Sequence, residues 1–97
     1  MMDEAEYMAL VDALEATSDK ISRLGAGIIA ALAFNVASDS RSFARRLGVA
    51  HALVLREVTL LGEQDDYIII RQRDARTQRI HYVLSPAGET LLAEVRR

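Results

Sequence analysis

The apolar residues of this chain change their period once. Up to Gly62 they recur at helical spacing, and beyond it they gather into two β-rich runs, Tyr67–Arg71 and Ile80–Leu84. A chain that switches in this way cannot be a plain helical bundle or an all-β sandwich. It has to place several helices beside one β-hairpin, which gives a mainly α fold with a small β-hairpin (α+β). At 97 residues it is expected to form a single domain over 1–97.

The helical part divides at its punctuation residues. Tyr7, Val11, Leu14, Ser18 and Ile21 fall on one stripe and predict an amphipathic helix from Asp3 to Arg23, with Asp3 as its N-cap. Met8 and Leu10 widen that stripe, so this segment (1–24) is expected to carry a dimer contact, helped by Leu91, Leu92 and Val95. Gly25-Ala26-Gly27 is expected to break or kink the chain, since each Gly costs about 1 kcal/mol inside a helix. The uncharged run Ile28–Ala37 then predicts a central core helix. Ser38-Asp39-Ser40 announces a short helix, Arg41–Leu47, that stops at Gly48. A further helix, about Ala50–Leu61, turns Val54, Val58 and Leu61 inward and ends at Gly62. Ser85-Pro86 starts a last helix over 85–97.

Composition excludes whole classes of chemistry. With no cysteine there is no disulfide framework, no thiolate metal site and no thiol nucleophile. His51 and His81 lie thirty residues apart, so no metal or other cofactor is expected. No nucleophile–base set and no phosphate-binding glycine loop is present, so catalysis is not expected. Without a membrane-length apolar run or a basic leader, the chain is expected to be cytoplasmic and free of the membrane.

Charge is divided unevenly. Residues 1–40 hold seven acids against Lys20 and Arg23, a net of −5, whereas residues 41–97 hold ten arginines against seven acids, a net of +3. The split predicts an acidic scaffold beside a basic contact surface.

Two short helices joined at a glycine, followed by a hairpin with a basic loop (72–79) and a closing helix, follow the order of a winged helix-turn-helix with its core over 28–84. Phe43-Ala44-Arg45-Arg46-Leu47-Gly48-Val49 resembles the opening of the helix-turn-helix in MarR-type transcriptional regulators. Arg73-Asp74 with Arg79, and Leu84-Ser85-Pro86-Ala87-Gly88, resemble that family's wing and the segment after it. Thr77 stands where the family's wing carries an acid.

The resemblance implies a dimeric regulator of transcription whose partner is double-stranded DNA; whether a small effector exists stays open. In such a protein a helix enters the major groove and the wing lies along the backbone or minor groove. Arg56 and His51 on the 50–61 helix are then the candidates for base or phosphate contacts. Arg76 and Arg79 on the wing are candidates for the minor groove, whose negative potential attracts guanidinium groups. Arg73 and Arg41 are candidates for phosphate clamps, which position without reading sequence. Leu53, Leu55 and Leu60 remain once the Val54 stripe is buried. They support the alternative, an interaction module that docks a partner protein through an apolar recognition helix.

Overall fold

Four side-chain oxygens set most of the helix starts. Asp3, Ser22, Asp39 and Ser85 each accept a backbone N–H from the first turn that follows, at Ala5, Gly25, Ser42 and Gly88. The computed structural model describes residues 3–96. Its elements run α1 (Glu4–Thr17), α2 (Arg23–Ala33), α3 (Ser40–Leu47), α4 (His51–Glu63), β1 (Ile68–Arg73), β2 (Ile80–Leu84) and α5 (Pro86–Val95). The two strands pair antiparallel, so the fold is mainly helical with one small sheet. Among the described residues no helix is long and apolar enough to cross a membrane.

Several boundaries differ from the sequence expectations. The predicted Asp3–Arg23 helix ends at Thr17, and a new helix begins behind Ser22. Ser18 Oγ accepts the Lys20 N–H, an alternative to the helical ladder that short hydroxyl side chains readily offer. Gly25-Ala26-Gly27 breaks nothing, because all three residues lie buried inside α2. Their small size lets α1 approach: Tyr7 Oη donates to the Gly27 carbonyl at 2.8 Å, and a Cβ on Gly27 would sit 3.1 Å from that oxygen.

The core helix stops at Ala33 instead of Ala37. Asn35 turns left-handed (φ 57°) and the Val36 N–H returns to the Ala31 carbonyl, so Asn does here what Gly does at other helix ends. Downstream, α4 runs through Gly62 to Glu63; only at Gly48 (φ 67°) does a glycine end a helix.

The first hairpin strand also reaches further than expected, to Arg73, while the second spans Ile80–Leu84 as expected. Arg71 is bulged out between Ile70↔Tyr82 and Gln72↔His81. The loop Asp74–Arg79 closes through Asp74 N–H to the Arg79 carbonyl (2.9 Å) and Gln78 N–H to the Asp74 carbonyl (2.8 Å). The other edge of β2 takes up the segment before α3: Tyr82 N–H donates to the Ser38 carbonyl, and Asp39 bridges His81.

Leu14, Ile28, Ile29, Phe43, Val54, Val58, Leu61, Ile68 and Tyr82 form the centre of the core. Tyr7, Leu10, Val11 and Leu14 of α1 are all buried within the one chain, where α1 packs on α2 and α5. Leu91 and Leu92 of α5 are buried too. Of the apolar residues expected to hold a dimer, Leu10, Leu91 and Leu92 are therefore covered within the chain, whereas Met8 and Val95 are half-buried.

Candidate nucleic-acid interface

Residues 40–56 carry Arg41, Arg45, Arg46 and Arg56 and no acid. All four arginines are exposed, and among the described residues none is paired with a carboxylate. By contrast Arg23, one of the two bases in the acidic half, is held by Asp12 and Glu15. Four of the arginines without a carboxylate partner thus lie on α3 and the first half of α4; Arg71, Arg76 and Arg96 are the others among the described residues.

Three elements meet at Ser40. Its hydroxyl is fully buried, accepts the Ile80 N–H at 2.9 Å and lies 2.9 Å from His51 Nε2. If the hydroxyl gives its own hydrogen to Nε2, the imidazole proton sits on Nδ1. Burial lowers the His51 pKa, with Arg41 and Arg79 acting in the same direction and Asp39 opposing them. His51 is therefore a neutral link between α3, α4 and β2, and its Nε2 is not free to meet a base.

Arg79 is likewise engaged within the chain. Its Nε lies 3.3 Å from Asp39 Oδ2, while Asp39, only 8% exposed, also accepts the Ser42 N–H. The arginine acts first as a strut between the hairpin and the N-terminus of α3. Burial alone would raise the Asp39 pKa; the Ser42 N–H and Arg79 outweigh it and the net shift is downward.

The other candidates separate clearly. Arg41 donates to the Thr77 carbonyl (3.1 Å) and so stands where α3 meets the hairpin loop. Arg73 Nη2 lies 3.3 Å from Glu63 Oε1, a surface pair that neutralises it and sets it against the end of α4. Arg76 is exposed at the hairpin tip and has no carboxylate partner among the described residues. Its position is set by Asp74, whose carboxylate accepts the Arg76 and Thr77 N–H groups. Arg56 is exposed on α4, opposite Val54, Val58 and Leu61. Of the leftover leucines, Leu55 and Leu60 are half-buried and only Leu53 remains largely exposed, at 50%.

The structure thus leaves Arg56 and Arg76 without a side-chain partner among the described residues and Arg41 bonded only to a carbonyl, whereas Arg73 and Arg79 are paired with carboxylates and His51 with Ser40. Sequence reasoning missed Ser40 and Asp39 as organisers. Their only local signal was capping, and their long-range partners lie as far as 40 residues away.

Stability should record this arrangement as a function of pH. His51 and Asp39 both have folded pKa values below their ordinary values of 6.5 and 3.8. For each, the unfolded chain takes up its proton first as pH falls. The His51 contribution is therefore complete above about pH 6.5 and is lost as pH drops toward its folded value; the Asp39 contribution is complete above about pH 4 and is lost below that. Urea unfolding followed from pH 8 to 3 should show two declines. His51→Gln should remove the upper one and Asp39→Asn should lessen the lower, to which Asp74, also shifted downward by the Thr77 and Arg76 N–H groups, contributes. A wild-type profile flat from pH 8 to 4.5 would contradict the role of His51.

No family model, curated protein or solved structure matches the chain.

Proposed function

We propose that the protein is a DNA-binding transcriptional regulator of the winged helix-turn-helix type, akin to the MarR-type regulators its motifs resemble. In this reading α3 and α4 form the helix-turn-helix, α4 enters the major groove, and the 74–79 loop is the tip of the wing. The observation that carries it is the acid-free stretch 40–56 with four exposed arginines, flanked by Arg76 on a projecting hairpin. Phosphate contacts come from Arg41, Arg76 and one of Arg45 and Arg46. The protein binds a pseudo-palindromic site as a homodimer, whose contact has to use surface other than the buried Leu14, Leu91 and Leu92. Sedimentation equilibrium giving only a 10.7 kDa species for the free protein, and a complex of one chain per duplex on DNA, would remove the dimer from this reading.

The test is a salt titration of binding to random duplex DNA. Each phosphate neutralised contributes about −0.9 to the slope of log affinity against log salt. Three contacts give a slope of about −2.7, so affinity should fall about fortyfold between about 50 and 200 mM salt. Arg76→Ala should lower the slope by about 0.9 without altering the melting temperature. Half-exposed Leu53 favours the second reading, a partner protein docked on α4. Absence of binding to any duplex at about 50 mM salt would select that reading.

A further inference from the structure

A helix that reads bases needs side chains whose chemistry matches base edges, and most of the hydrogen-bonding groups on α4 are already engaged. His51 Nε2 is taken by Ser40, and Thr59 donates to the Leu55 carbonyl. Glu57 accepts from Ser22, and Glu63 holds Arg73. The exposed residues of the first two turns are Ala52, Leu53 and Arg56. At about 100° per residue they share one side of the helix, opposite the buried Val54, Val58 and Leu61. We infer that this helix selects thymine by contact of Leu53 and Ala52 with its C5-methyl group, beside a single guanine bound by Arg56.

The inference rests on the DNA-binding reading and deepens it. A major groove offers one apolar feature, the thymine methyl, and one feature suited to a two-pronged cation, the O6/N7 edge of guanine. Leu53 and Arg56 are three residues apart, a rise of about 4.5 Å, so their targets fall one or two base-pair steps of about 3.4 Å apart. Charge complementarity favours duplex DNA as the occupant of this exposed face. Arg41, Arg45 and Arg46 stand on the neighbouring helix, and the stretch 40–56 has no acid to repel phosphate.

The experiment is selection of random-core duplexes by the full chain, followed by base substitution in the selected sequence. Thymine within two positions of guanine should be enriched. Replacing that thymine by uracil, which lacks only the methyl, should weaken binding about fourfold per methyl, the equivalent of about 0.8 kcal/mol. Cytosine should bind as weakly as uracil, and 5-methylcytosine should restore the affinity, because neither Leu53 nor Ala52 reads the group at position 4. Leu53→Ala should reduce the uracil effect while retaining general duplex affinity, since a half-exposed side chain contributes little to the fold. Duplexes that bind with the expected salt slope but are indifferent to uracil, or that select adenine at these positions, overturn the inference and leave the DNA-binding reading intact. Failure to bind any duplex overturns both.

Discussion

Leu14→Asp should leave a chain that does not fold. Leu14 is completely buried on α1. Truncating a buried leucine typically costs about 2–5 kcal/mol, and enclosing an unpaired carboxylate adds several more. Against a total stability of about 5–15 kcal/mol for a chain of this size, that loss removes most or all of the folded population. Far-UV circular dichroism should show little helix and no cooperative thermal transition. Leu14→Met, which keeps the volume, should cost less than about 1.5 kcal/mol. A Leu14→Asp protein that stays folded and merely changes its association state would instead place this residue at a contact between chains.

Gly88→Ala should be nearly as damaging, for a different reason. A Cβ at this position would lie 2.2 Å from the Tyr67 carbonyl oxygen and 3.0 Å from Leu84 Cδ2. The first neighbour is backbone and is fixed from two directions. Ser85 N–H donates to that same carbonyl, and the Ser85 hydroxyl donates to the adjacent Asp66 carbonyl while accepting the Gly88 N–H. α5 would have to lift away from the start of β1. A cost of about 3 kcal/mol or more follows, which lowers the melting temperature by roughly 12–24 °C in a domain of this size. Gly48→Ala is the informative comparison. There φ is positive but nothing lies within 4 Å of the added carbon, so only the conformational penalty of about 1–2 kcal/mol applies. A Gly88→Ala melting point within a few degrees of wild type would refute the close contact with Tyr67.

What could be read from the sequence was what local chemistry decides. Asp3 and Ser85 cap the helices expected of them, Gly48 closes α3, and the inward stripe Val54, Val58, Leu61 is buried as its spacing predicts. The errors fall where tertiary contacts outweigh propensity. Gly25 and Gly27 look like helix breakers until Leu61 lies against the first and Tyr7 against the second, and Gly62 looks like a stop until Ile70 lies against it. In the candidate site, the exposure of Arg56 and Arg76 followed from helix periodicity and from a polar loop between strands. The restraint of Arg79 and His51 did not. It depends on the segment before α3 lying along β2, which brings together residues separated by 40 positions for Arg79 and 11 for His51.

The junction at Ser40 also bears on what this surface can accept. One buried oxygen fastens two helices and a strand, while Arg79 and Arg41 brace the hairpin against the same helix. A surface fixed at so many points has little freedom to mould itself around a ligand. On the DNA-binding reading, adjustment then falls to the duplex. Sites whose flanks contain easily deformed pyrimidine–purine steps would conform at lower energetic cost than stiff A-tracts. Selectivity would extend in this way to base pairs that no side chain touches.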